Sequence, residues 1–432
     1  MRRAARVVRV WGIVAGSSKS RVSGQDGIKE CLRTGHTIIL LGTGGVGKTT
    51  IAAALGIASA TLGNRTAVIT IDPARRLRDA LGLRRLGDRP TRIDPRRLAR
   101  AGLDPRLALF AMVLDVKHQW NAMVERFIAD RATRERILAN RFYRTLAGQL
   151  AGSDAYAALE ALYDLHEKSR FEVTIVDTPP AAHAFEFIQA PGRMARLLDS
   201  GAARLFSSAS AFPGSRLAFR FASRASRRVI EELERFTGTD VLSSLADFFT
   251  SAAAATGAMV ERFRKAERML RSSTVHFVIV TTAEPDRLSH ARELTEELTG
   301  EGLSSAAIVI NRFLDEEASA IRANGCDGAM MASGFRDASK RDPEIGRAID
   351  YLEDYQRRLN TTAARVGEFM RKLPDEVAVA AAPELAIETA DLAMLRTIAE
   401  HLTGADSTIV GTANPDTSRK RSARTRRKSK PE

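Results

Sequence analysis

The segment Thr37–Leu41 reads TIILL and runs straight into Gly42-Thr43-Gly44-Gly45-Val46-Gly47-Lys48-Thr49-Thr50. An apolar strand, a glycine loop and an alanine-rich helix, in that order, leave few folds open to the chain. The spacing fits G-x-x-x-x-G-K-[ST], the P-loop pattern. Side chains at the glycine positions would block an anion, whereas bare backbone lets successive N–H groups curl around phosphate oxygens. The following helix, over 50–60, adds the positive end of its dipole. Lys48 supplies a cation for the terminal phosphates, and the Thr49 hydroxyl suits Mg²⁺. The loop Gly42 to Thr50 is therefore predicted to cradle a nucleotide, with ATP and Mg²⁺ as the expected ligands.

Short β-branched runs recur along the chain: Ala67–Ile71, Val173–Val176, Val275–Val280, Ala307–Ile310 and Val377–Ala380. Most are apolar on both faces, the mark of parallel strands covered by helices. Helical patterns separate them, so the predicted fold class is α/β. Two gaps, at about 82–170 and 190–273, are too long for simple crossovers and read as helical. In the first, Leu109, Val113, Val116, Trp120, Met123 and Phe127 share one helical face. In the second, Met259, Phe263, Ala266 and Leu270 do the same, with Glu261, Arg262, Arg264, Lys265 and Arg268 on the other side. A helical subdomain assembled from both insertions is expected beside the sheet. Met112, Met123, Met259, Met269 and the phenylalanines of the insertions read first as core, with a flexible apolar groove as the alternative.

Asp72 follows the second run, in Ile71-Asp72-Pro73-Ala74, and Asp177 ends the third, in Val176-Asp177-Thr178-Pro179-Pro180. Ligands of parallel sheets gather at the carboxyl ends of strands. Asp177 fits the acidic position that orients Mg²⁺, with Thr49 as its partner ligand. His118, with no ligating neighbours, reads as an exposed or capping histidine.

Of the net charge of +14, +6 sits in residues 1–35 and +5 in residues 405–432, which leaves +3 for the 369 residues between. The ends read as a flexible basic leader (1–35) and a disordered basic tail (405–432), with a single P-loop unit between them. The tail contains Ser418 to Lys430, SRKRSARTRRKSK, which has no apolar residue larger than alanine. It is either a solvated tail or a tether to nucleic acid or anionic lipid. The longest uncharged stretch, Thr49 to Asn64, has 16 residues, short for a membrane span. Two cysteines, Cys31 and Cys326, cannot build a disulfide framework or a thiolate zinc clip. A cytoplasmic location follows as the expectation, with peripheral contact to the inner membrane left open.

Taken together, GTGGVGKTT, IDPARRLRDALG and VDTPPAAHAFEFIQAP resemble the P-loop ATPase family of the arsenical pump-driving ATPase and the ATPase that targets tail-anchored membrane proteins. The resemblance spans roughly 36–404. It implies ATP hydrolysis, with Asp72 orienting the attacking water and Lys48 on the phosphates. It implies that Asp177 lies near Mg²⁺, that His183 responds to nucleotide state, that Glu284 contacts nucleotide and that the Asn311 amide reads adenine. It also implies a dimer, either a homodimer or a heterodimer with a related ATPase, and a membrane-protein client or transporter as partner. Thr43 stands where the family's usual loop carries a second lysine, as in a subset of bacterial relatives; Arg75 or Arg76 is a candidate replacement. No arsenite-binding cysteines are evident, and the zinc-clasp cysteine pair of the targeting branch is missing. Two rival readings are a partitioning-type ATPase that coats DNA and a non-hydrolysing, nucleotide-dependent interaction module. A GTPase is disfavoured, since Asn311-Arg312-Phe313-Leu314-Asp315 has one residue too many for the N-K-x-D guanine reader, and no lysine.

Overall fold

The computed structural model describes residues 23–71, 76–148, 153–168, 170–178, 184–199, 239–303, 305–315, 343–385 and 391–404. Its strands are β1 Thr37–Leu41, β2 Thr66–Thr70, β3 Thr91–Arg92, β4 Leu109–Val113, β5 Val173–Asp177, β6 Val275–Thr281, β7 Ser305–Asp315 and β8 Ala378–Glu384. They form one sheet in the order β3-β4-β2-β5-β1-β6-β7-β8. Every neighbouring pair is parallel except β3 with β4. The chain is thus the α/β protein its sequence predicts.

The strands are apolar on both sides because both sides are covered. Ile38, Leu40, Val68, Ile175 and Val280 belong to one core, and Ile39, Leu41, Ile69, Val176 and Ile279 to the other. The first core is roofed by α1 Gly24–Thr34, α2 Lys48–Thr61 and the short helices α3 Arg76–Ala80 and α4 Pro95–Arg100. On the opposite side, the insertion helices are α5 Val116–Phe127, α6 Arg131–Ala139, α7 Arg141–Gly148, α8 Ser153–Glu167, α9 Ala184–Asp199 and α10 Thr239–Leu270. Two further helices, α11 Pro285–Gly300 and α12 Pro343–Arg371, complete that second layer. The last helix, α13 Leu392–Thr403, returns to the first layer, capped by the Asp391 carboxylate accepting from Met394 N–H.

Three sequence expectations need correction. Leu109–Val113 is not the start of a long helix but β4, paired in register with β2 from Thr66↔Leu109 to Thr70↔Val113. A five-residue apolar run fits either period, and the open edge of β2 decides it. The helix begins only at Val116, where Asp115 accepts from the His118 backbone N–H. The 82–170 insertion therefore also supplies the β3 and β4 edge of the sheet. His118 itself is exposed in the first turn of α5, 3.5 Å from the Asp88 carboxylate.

The second correction concerns the basic leader. Residues 24–34 form α1, which buries Ile28, Cys31 and Leu32 against the first core. Gly24 lies so close to β8 that a Cβ there would sit 1.9 Å from the Val379 carbonyl oxygen. Burial pushes the Cys31 thiol up to about 12, so it is a packing residue rather than a thiolate ligand. Residues 1–22, the 405–432 tail and Cys326 lie outside the described residues.

The third concerns Arg262, expected on the side of the helix away from Met259, Phe263, Ala266 and Leu270 and so away from the core. Its side chain is only 12% exposed. Its Nε donates to Glu160 at 2.6 Å and its Nη2 to Asp164 at 2.8 Å, while its guanidinium stacks 4.7 Å over the Tyr163 ring. Arg126 from α5 donates to the same Glu160 at 2.8 Å. Burial pushes the Glu160 carboxyl up, and Arg262 and Arg126 oppose that shift. The network marks where α8 crosses α10. On one side of it, α8 and α10 give Leu159, Leu162, Met269 and Leu270 to the sheet core. On the other, Phe248, Phe249, Met259 and Phe263 of α10 pack with Trp120, Met123, Tyr143 and Leu198 in a third core. The helical subdomain is thus real, and two of its helices run continuously into the sheet. No helix among the described residues is long and apolar enough to cross a membrane.

Truncating one partner of a buried ion pair leaves the other charge uncompensated. Arg262→Met is expected to cost about 3 kcal/mol of stability, read as a shift of the urea midpoint. Adding Glu160→Met in the same chain should recover most of that loss; a double variant as unstable as the single one would contradict the assignment.

Candidate functional site

The sheet brings the carboxyl ends of β1, β2, β5, β6 and β7 to one edge, and the glycine loop leaves β1 there. Gly47 adopts φ +90°, the left-handed region, as the N-cap of α2. A Cβ at Gly47 would lie 2.2 Å from the Asn311 amide nitrogen, and one at Gly42 would lie 2.2 Å from the Val280 carbonyl oxygen. Neither position admits a side chain. The loop is thereby pressed against β6 and β7 while its N–H groups head a helix of 14 residues.

Lys48 is buried and turned back along the loop. Its Nζ donates to the Gly42 carbonyl at 2.8 Å and the Thr43 carbonyl at 3.1 Å. Thr49 Oγ1 donates to Asp177 Oδ2 at 2.7 Å, and Thr70 Oγ1 donates to the same oxygen at 3.0 Å. Asp177 is 1% exposed. Thr178 Oγ1 donates to the Leu40 carbonyl at 2.5 Å and so fixes the chain leaving β5 against β1. A threonine hydroxyl and a carboxylate in contact at a helix N-terminus are hard oxygen donors, the set that Mg²⁺ accepts alongside phosphate and water. The residues present fit an Mg²⁺–nucleotide.

The far side of the loop is closed by β7. Asn311 is buried, and its Nδ2 donates to the Val46 carbonyl at 2.9 Å. The strand shifts register between Ile310 and Leu314, and Arg312 takes φ +55°, the one non-glycine residue with positive φ among those described. Glu284, between β6 and α11, accepts a hydrogen bond from Thr282 Oγ1. That bond, with Arg287 and Arg312 nearby, holds its carboxyl below the usual range.

Of the residues expected from sequence, Gly42 to Thr50, Asp177, Asn311 and Glu284 converge on this edge. Asp72, Arg75 and His183 lie outside the described residues, although β2 ends beside Asp177, with Thr70↔Asp177 in register. Arg76 is exposed at the start of α3. Four participants had no place in the sequence reading: Thr70, Thr178, Thr282 and Arg287. Arg287 Nη1 donates to the Thr43 hydroxyl at 2.6 Å. The available signal was position, since each lies within a few residues of a strand's carboxyl end.

The sequence model of the anion-transporting ATPase family (ArsA) matches residues 36–328, more than half of the chain. The chain belongs to this family. It is 25% identical over 283 residues to a Cryptosporidium parvum protein named ATPase ASNA1 homolog, covering 66% of each chain. It is 25% identical over 283 residues to the Aspergillus terreus protein named ATPase get3, covering 65% of this chain and 74% of that one. Against an uncharacterized Streptomyces coelicolor protein, identity is 31% over 165 residues, 38% of this chain and 39% of the relative. The chain thus spans two thirds or less of the first and third of these relatives. Within the anion-transporting ATPase family fold, the P-loop and the Asp177 junction occupy the sheet's carboxyl edge, and the helical subdomain lies on the second-layer side.

Asp177→Asn keeps the side chain's size but removes the charge that two hydroxyls share. The expected outcome is nucleotide affinity that no longer rises with Mg²⁺, a loss of about 10-fold at millimolar Mg²⁺, the size of one charged hydrogen-bond contact. Calorimetric titration with and without Mg²⁺ checks it; an unchanged Mg²⁺ dependence would reduce Asp177 to a structural acceptor.

Proposed function

We propose that the chain binds ATP–Mg²⁺ at the loop Gly42 to Thr50 and hydrolyses it, using the cycle to move its helical subdomain. The observation that carries this reading is the contact of Thr49 with Asp177, at 2.7 Å, at the head of the glycine loop. When bound, ATP–Mg²⁺ supplies the phosphoryl bond to be broken and a divalent charge that offsets the developing negative charge. Loop N–H groups and Lys48 hold the phosphates. Thr49 and Asp177 hold the metal, Asp177 partly through water. Asp72 orients the attacking water. Asn311 positions the loop through Val46 and is the candidate reader of adenine, and Glu284 is a further contact.

The coupling we infer runs through α10, which gives residues to both the sheet core and the third core, and through α8, which belongs to the sheet core and packs Tyr156 against the third. A shift at the sheet edge reaches the apolar cluster around Trp120 and Phe248 without a joint in either helix. Relatives named ATPase ASNA1 homolog and ATPase get3 support a cycle of this type. The proposed partners are a second copy or a related ATPase chain, and a membrane-protein client or transporter.

Two variants test the chemistry. Lys48→Ala should abolish turnover and weaken ATP binding strongly, since it removes the loop's own cation. Turnover within a few-fold of wild type would show that the site is assigned wrongly. Asp72→Asn should retain ATP–Mg²⁺ binding while hydrolysis slows at least ~100-fold, the scale of a lost positioned base. Equal loss of binding and turnover would give Asp72 a metal or structural role instead. A wild-type protein that binds ATP without turnover would favour the non-hydrolysing reading.

A further inference from the structure

The Thr43 hydroxyl is a neutral acceptor, yet it takes a hydrogen bond from a guanidinium at 2.6 Å. Arg287 comes from α11, in the turn after Glu284. Its backbone is fixed, because Thr281 Oγ1 at the end of β6 donates to the Arg287 carbonyl at 2.9 Å. The side chain is half-buried at the entrance to the loop. It lies near the Glu284 carboxylate, whose charged form it favours. An arginine presents five donors in a rigid fork, and one hydroxyl satisfies few of them.

Charge balance at the loop points the same way. Mg²⁺ leaves the ATP tetra-anion with two uncompensated negative charges, and Asp177 adds a third to the pocket. Lys48 contributes one positive charge, and two of its donors already hold the Gly42 and Thr43 carbonyls. The helix dipole adds a fraction of a charge. The pocket needs a second full cation, and Thr43 brings none.

We propose that Arg287 is that cation: on nucleotide binding its guanidinium leaves the Thr43 hydroxyl and pairs with the oxygens of the terminal phosphate of ATP. The fork geometry suits this partner, since arginine can meet two phosphate oxygens at once. No covalent step is involved; one charged hydrogen-bond partner replaces a neutral one. The residue then distinguishes ATP from ADP, because only ATP carries the phosphate that it contacts. The inference rests on the nucleotide reading of the loop given above and names a residue within it.

The test is a titration of ATP–Mg²⁺ and ADP–Mg²⁺ against wild type, Arg287→Ala, Arg287→Gln and Arg287→Lys, each also in a Thr43→Val background, at low and high salt. In Arg287→Ala and Arg287→Gln, ATP affinity is expected to fall about 10-fold or more, as for loss of a charged hydrogen bond, while ADP affinity falls less than about 3-fold. Arg287→Lys should recover part of the ATP preference and the steeper salt dependence that goes with it. The effect of Arg287→Gln should persist when Thr43 is valine. If it vanishes there, Arg287 merely braces the loop through Thr43, and the proposal is overturned. Equal losses for ATP and ADP, or none, overturn it as well. Lys48→Ala serves as the reference: if wild type and Lys48→Ala bind ATP alike, the nucleotide reading itself fails. If only the Arg287 variants match wild type, this inference alone fails.

Discussion

One carboxylate oxygen organises the sheet's functional edge. Asp177 Oδ2 accepts from Thr49 on the first turn of α2 and from Thr70 at the end of β2. Three elements that are far apart in sequence are joined at that atom, because Asp177 is itself the last residue of β5. Burying a carboxylate is costly unless hydrogen bonds satisfy it, so the junction tolerates few alternatives. The rest follows from it. With α2 fixed to β2 and β5, the glycine loop has one path from β1, and Asn311 on β7 can brace it from the other side through Val46. On the proposed reading the same carboxylate would also face the divalent cation, which would give Asp177 a structural and a chemical role at once.

Local sequence and tertiary context divided the work unevenly. The strands Thr37–Leu41 and Val173–Asp177, the glycine loop and the helix after it were legible because periodicity, glycine placement and burial all agreed. The stretch from Leu109 to Phe127 misled, since an apolar residue every three or four positions describes a helix as well as it describes a strand followed by a helix. Only the free edge of β2 and the cap at Asp115 distinguish them, and the first of these is a long-range fact. Gly24 to Thr34 falls within the basic leader when residues 1–35 are read together by their net charge of +6, although its own four charges cancel. Ile28, Cys31 and Leu32 nevertheless lie on one face, at i, i+3 and i+4, and that face is buried.

The site shows the same division. Backbone-binding residues announce themselves through spacing, and the acids through their place at strand ends. Arg287 and Arg262 do not, because an arginine on a helix reads as a solvated charge until something opposite it is known. For Arg262 the missing fact was Glu160, about a hundred positions away, whose carboxylate is almost fully covered. For Arg287 it was Thr43, 244 positions away. In both cases the informative quantity is the partner's burial and charge, which no window on the sequence contains.

Both arginines place directional polar contacts beside packed apolar cores. Packed apolar interiors resist small displacements and tend to hold discrete arrangements. The crossing of α8 and α10 adds to its apolar packing the hydrogen bonds of Arg262, Arg126, Glu160 and Asp164, which have direction. On the proposed reading, α10 carries a shift through this crossing as one continuous helix. At the nucleotide end, Arg287 holds a neutral hydroxyl, a weak partner that a phosphate can displace at little cost. On the proposed reading, the free energy of binding a charged ligand therefore acts first on polar contacts that can exchange, and only through them on the packed cores.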